Sequence, residues 1–130
     1  MPRIFSFRGK TIEDLQSMKI DDFVMLLNSR ERRSFKRQGM DYKRLVAKAD
    51  KIKKSGSEKI VRTRTREAVI LPSWVGMKFG VHNGKEFKEL LIAPEMLGHR
   101  LGEFVFPIKH VVHSAPGIRA TRGSKFLAVK

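Results

Sequence analysis

Like charges crowd into two separate stretches of this chain, which restricts where a packed core can form. From Ser29 to Arg66 there are 15 Lys and Arg against four acids, a net of +11; from Phe104 to Lys130 there are five bases and no acid, a net of +5. Between them, Glu67 to Glu103 holds four bases and five acids. A core is expected on the near-neutral stretch, because self-repulsion opposes compaction of either flank unless a polyanion answers it. The chain as a whole carries +15 over 130 residues, the length of a single domain with one modest core. Three sections are read within that domain: a basic helical leader over 1–57, an α/β core over 58–106, and an extended basic tail over 107–130.

Nucleic acid is the polyanion that fits best. A membrane surface fits poorly, since no run of 18 apolar residues occurs and no basic helix face is backed by a set of Trp and Phe. The opening "MPRIFSFRGK" lacks the apolar core of a secretory signal, and the chain has no Cys. The expectation is a cytoplasmic protein without disulfides or thiolate-bound metal.

The leader reads as helical. Thr11 with Asp14 three residues later forms a capping box for a first short helix. Ile20, Phe23, Val24 and Leu27 follow at helical spacing, with Asp21 and Asp22 in a first turn where the helix dipole favours acids. Ser29 is placed as the cap of a third helix that Gly39 ends, and Asp41 as the start of a longer one stopping near "KKSGS". On that last helix Tyr42, Leu45, Val46, Ala49 and Ile52 share one face, while Lys43, Arg44, Lys48, Lys51 and Lys54 lie opposite. A solvated face normally mixes both signs, and this one has almost no acid to pair with. Arg30, Arg32, Arg33, Lys36 and Arg37 in "RERRSFKR" add planar forks suited to phosphate oxygens. Together with Lys43, Arg44, Lys48 and Lys51 they are the leader's candidate RNA contacts.

In "EKIVRTRTREAVIL" the β-branched alternation predicts a strand that points Arg62, Arg64 and Arg66 to one face, a stripe for RNA. Asn83-Gly84 signals a hairpin with a type I′ turn. A two-residue loop would set Gly80 opposite Phe87, a bulged three-residue loop Val81 opposite Phe87, and the sequence leaves both open. His82, Asn83 and Lys85 offer donors for phosphate or 2′-OH groups, although Asn-Gly also reads as a device for turning the chain alone. Pro94 opens a short helix through "PEMLGHRLGEF". Within it Arg100 is a phosphate candidate, and His99 reads equally as a contact or as a packing residue. Met18, Met25, Met40, Met77 and Met96 are read as core or gap-filling, and Trp74 as core or interface. In the tail, Arg119, Arg122 and Lys125 neutralise phosphate in a segment too polar to order itself alone.

Catalytic hardware is missing from the sequence. Gly-x-Ser-x-Gly and the Gly-Lys-Ser/Thr phosphate loop do not occur, "GVHNG" lacks dinucleotide-binding spacing, and the carboxylates Glu13, Asp14, Asp21 and Asp22 serve helix first turns. His110 and His113 have no adjacent carboxylate or third ligand at helical spacing. No enzyme, cofactor or metal is expected.

"VGMKFGVHNGKEF" followed by "MLGHRLGEF" closely resembles the signature of the universal small-subunit ribosomal protein family numbered nineteen. Val75, Gly76, His82, Asn83, Gly84, Lys85, Gly98, His99, Arg100, Leu101, Gly102, Glu103 and Phe104 are the matching positions. The basic leader and the ending "APGIRATRGSKFLAVK" are similar to the archaeal and eukaryotic branch, whose eukaryotic member is called fifteen-e. Where many bacterial members carry Trp before the hairpin, this chain has its Thr-Arg alternation. The resemblance implies an α+β fold, with a small antiparallel β-sheet containing the Asn-Gly hairpin and helices packed on one side. It also implies a place in the small-subunit head on the 3′ domain of the small-subunit ribosomal RNA, beside the thirteenth small-subunit protein, with the tail reaching toward the tRNA sites. An alternative from charge alone is a DNA-binding or nucleoid protein, but no helix sets Asn, Gln and Arg at i, i+3 and i+4 for base readout.

Overall fold

The computed structural model describes residues 5–112. The leader folds into four helices: α1 Ile12–Ser17, α2 Ile20–Leu26, α3 Ser29–Arg37 and α4 Met40–Lys54. Three strands follow, β1 Val61–Thr63, β2 Lys78–His82 and β3 Phe87–Leu91, with 3₁₀ turns at Pro72–Trp74, Pro94–Met96 and Leu101–Glu103. The architecture is α+β.

Local chemistry accounts for the helix ends. The Thr11 hydroxyl accepts from the Asp14 amide at 3.3 Å while the Asp14 carboxylate accepts from the Thr11 amide at 3.2 Å, completing the capping box. The hydrogen bond from the Thr11 hydroxyl holds the Asp14 carboxyl below its ordinary range. A depressed folded-state value means that this support is present above the ordinary value of 3.8 and is lost as pH falls through the lower one. Two boundaries differ from expectation by one residue. Ser29 is the first residue of α3 rather than its cap, which is Asn28, and α4 begins at Met40 with Gly39 as its cap rather than at Asp41. Both caps have extended backbone and no side-chain cap bond, so backbone geometry sets these starts.

On α4, Tyr42, Leu45 and Ala49 are buried, while Lys43, Arg44, Lys48, Lys51 and Lys54 are exposed, as the wheel requires. An aromatic chain ties the helices to the sheet. Phe35 of α3 meets Tyr42 edge-on at 5.3 Å, Tyr42 meets the fully buried Trp74 at 6.2 Å, and Trp74 meets Phe79 of β2 at 4.9 Å. Burial pushes the Tyr42 phenol above its ordinary range.

The sheet order is β1-β2-β3, and it is mixed rather than antiparallel. β2 and β3 run antiparallel, but β1 is parallel to β2, with Val61 beside Phe79 and Thr63 beside Val81. The crossover between them explains why the long predicted strand shortens to three residues. After Thr63 the chain turns away, and Ala68, Val69, Ile70 and Leu71 are all at most 1% exposed, buried on every side without alternation. Their backbone partners come from Gly98–Gly102: Ile70 donates to the His99 carbonyl at 2.9 Å, Leu101 to Ala68 at 3.0 Å and Gly102 to Arg66 at 2.8 Å.

That pairing also prevents the helix expected from Pro94 to Phe104. Gly98 takes φ +78° and Arg100 is extended, so only two 3₁₀ turns form. The hairpin takes neither proposed register. Val81 lies opposite Lys88 and His82 opposite Phe87, leaving the four-residue loop Asn83–Glu86. Asn83 Oδ1 accepts from the amides of Lys85 and Glu86 at 2.9 and 2.8 Å, which stabilises a turn with positive φ at Gly84 and not at Asn83. Met18, Met77 and Met96 pack against the core, but Met25 and Met40 are 62% and 64% exposed, contrary to the core reading.

Gly98→Ala tests the central pairing. A Cβ there would sit 3.1 Å from the Phe7 ring and 3.3 Å from Leu27 on a left-handed backbone. The expected loss is about 1–2 kcal/mol or more, measured by chemical denaturation.

Candidate nucleic-acid interface

The expected cations divide into two groups according to what their nitrogen atoms touch. Arg30, Arg33, Lys36 and Arg37 stand exposed on α3. At spacings of three and four residues, Arg30, Arg33 and Arg37 share one face. With Thr65, Glu67 and Arg100 they line a cleft of about 460 Å³ between α3 and the loop after β1. Lys43, Arg44 and Lys51 are exposed on α4, where Arg44 makes a 3.5 Å surface pair with Asp41. A pair this exposed contributes little to stability.

A second cluster lies on the outer face of the sheet. Arg62 extends from β1 across Gly80 toward the Phe87 ring, with its guanidinium carbon 5.9 Å from the ring centre. Gly80 makes room for this, because a Cβ there would stand 3.1 Å from Ile60 and 3.2 Å from Arg62. His82 meets Phe87 edge-on at 4.9 Å, and the exposed Lys85 is in the adjoining loop. Phe87, absent from the expected contacts, joins β1 to the loop here. Only the pairing register could reveal it, and the register was open in the sequence.

The remaining candidates hold the protein together. The Arg66 guanidinium donates to the carbonyl of His82 at 2.7 Å, to that of Gly102 at 3.1 Å, and to that of Val105. Arg66 therefore leaves the stripe predicted with Arg62 and Arg64; β1 ends at Thr63, so the alternation that placed three arginines on one face does not persist. Arg32 donates to Met25 O and Leu27 O at 3.2 and 3.1 Å, closing the end of α2. Lys48 reaches Arg62 O at 3.0 Å. Arg100 Nε donates to Glu31 at 2.8 Å in a half-buried pair, and this hydrogen bond raises the arginine further above its ordinary range. His99 Nδ1 lies 2.7 Å from Glu103 Oε2, while the other oxygen of Glu103 accepts from the Arg100 amide. Asn83 holds its own loop. Arg119, Arg122, Lys125 and His113 lie outside the described residues.

Among the described residues no group of three or more His, Asp or Glu side chains is placed to hold a metal, and no helix is long and apolar enough to cross a membrane. A small mixed sheet backed by helices, with arginines lining one cleft and Arg62 and Lys85 on the sheet's outer face, defines an α+β scaffold protein. The comparisons give that class a family. The model of ribosomal protein S19 matches residues 33–113. The small ribosomal subunit protein uS19 of Metallosphaera sedula is 48% identical over 128 residues, covering 97% of this chain and 91% of the relative. The protein of the same name from Saccharolobus solfataricus matches at the same identity and coverage. The chain belongs to the ribosomal protein S19 family, of archaeal type, and is a structural ribosomal protein rather than an enzyme.

The division among the arginines can be measured. Arg66→Met should cost about 2–3 kcal/mol in chemical denaturation, because three carbonyls lose a charged donor. Arg64→Met, at an exposed position, should stay within about 0.5 kcal/mol.

Proposed function

We propose that this protein is an RNA-binding structural component of the small ribosomal subunit in the cytoplasm, sited in the subunit head on the 3′ domain of the small-subunit ribosomal RNA. The observation that carries the reading is the cleft in which Arg30, Arg33 and Arg37 converge on the loop after β1. Three guanidinium groups on one face of α3 offer planar forks for phosphate oxygens, and among the described residues none is tied to a carbonyl as Arg66 is. Arg62, Phe87, His82 and Lys85 form a second patch, with an aromatic face for a base or ribose and donors for phosphate. Both patches lie on the outside of a core held by other residues, so the RNA need not rebuild the fold.

Family resemblance supports the finer placement. The neighbouring protein is the thirteenth of the small-subunit set, and residues 107–130 are directed toward the tRNA sites. Their base-only composition suits passage between phosphates.

Binding to small-subunit RNA should weaken steeply with salt. Replacing Arg30, Arg33 and Arg37 together by Gln, which preserves helix propensity, should lower the slope of log K against log salt by about 2–3, at roughly 0.7–0.9 per phosphate. An unchanged slope would remove the cleft from the interface. Removing residues 115–130 should leave denaturation of the rest unchanged and weaken tRNA binding to the subunit; loss of folding would instead make the tail part of the core.

A further inference from the structure

A groove of about 730 Å³ opens where α2, α3 and α4 meet, adjoining the arginine cleft at Gln38 and Tyr42. Its apolar lining is Val24, Met25, Phe35, Tyr42, Val46 and Ala47. Met25 leaves 62% of its surface uncovered, although the sequence reads it as core, and Phe35 and Val46 are half-buried. A flexible thioether beside an aromatic edge suits a surface that accepts another apolar side chain.

The charge around this groove differs in sign from that of the chain as a whole. Asp21, Asp22 and Asp50 stand on its rim, with Lys36 and Lys43 also on it. That is three acids to two bases, within a chain of net charge +15. None of the three carboxylates makes an ion pair among the described residues. Lys43 and Asp50 are two turns apart on α4, about 10 Å at 1.5 Å per residue, so the two signs are separated along that helix. A phosphate backbone entering here would meet carboxylates beside an apolar floor and would gain little. An apolar side chain followed by Lys or Arg would match both features.

We propose that this groove docks an amphipathic, basic segment of a neighbouring protein. Its apolar side chains rest on Met25, Phe35 and Val46, and its cations face Asp21, Asp22 and Asp50, in the manner of a helix laid in a groove. The inference rests on the reading that the chain works inside a ribonucleoprotein, where neighbouring proteins are themselves basic. It divides the leader into an RNA side and a protein side that meet at Gln38 and Tyr42.

The test places a photo-crosslinking amino acid at Met25 in one full-length variant and at Arg33 in another, each assembled into small subunits in cells. From position 25 the expected product is a crosslink to a peptide of another protein in which apolar residues recur every three to four positions with Lys or Arg between them. Its yield should fall about five-fold in an Asp21→Asn, Asp22→Asn, Asp50→Asn background, as expected for three rim pairs. Asp50→Asn alone, which leaves the first turn of α2 intact, should lower it in the same direction. From position 33 the expected product is a crosslink to RNA. A position 25 crosslink to RNA, to residues 113–130 of the same chain, to a protein segment without bases, or to nothing would overturn the docking proposal. Failure of position 33 to reach RNA would count against the RNA reading instead, so the two fail separately.

Discussion

The pairing of residues 66–70 with 98–102 is the constraint on which the rest of this structure depends. Ala68 to Leu71 are buried without alternation, so their amides and carbonyls cannot turn to water and must find partners in the chain. The segment containing Gly98 and Gly102 partners Ala68 and Ile70, while Trp74 bonds the Leu71 carbonyl and Tyr42 that of Val69, and the segment's glycines are needed for the approach. A Cβ on Gly102 would stand 3.0 Å from the Arg66 carbonyl. Once this contact is made, Arg100 is carried to Glu31 on α3 and Arg66 is carried to the end of β2 and to Val105. Family resemblance is strongest in this stretch, and its described contacts are with the protein's own core.

Excess positive charge then acquires two uses. Some cations are absorbed by the fold itself: Arg66, Arg32, Lys48 and Lys53 donate to backbone carbonyls of other segments. A guanidinium suits this work, since its rigid fork serves several carbonyls at once, as Arg66 does. Other cations, on α3 and along the outer face of α4, remain turned to solvent and supply the field that a polyanion would answer. Residue type alone does not separate the two groups; what separates them is whether a carbonyl lies within reach.

Helical periodicity sorts the surfaces further. On α3, Arg30, Arg33 and Arg37 recur on one side, while Phe35 falls on the opposite one. One short helix thereby borders an arginine cleft with the loop after β1 and an apolar, acid-rimmed groove with α2 and α4. The two surfaces differ in charge and polarity although they border the same helix.

Much of this was legible in the residues. The capping box at Thr11, the four helices, the two faces of α4, the buried Trp74 and the segregation of charge all follow from local spacing and composition, because a helix writes its faces into the sequence every three to four positions. Tertiary structure alone decided the parallel strand β1, the four-residue hairpin loop, the loss of the helix after Pro94, the exposure of Met25 and the inward turn of Arg66. Each of these depends on which distant backbone groups need partners once the core closes, as when residues 98–102 abandon helical bonds to satisfy residues 66–70. Local sequence records what a segment prefers by itself; the hydrogen-bond demands of buried backbone elsewhere determine whether it keeps that preference.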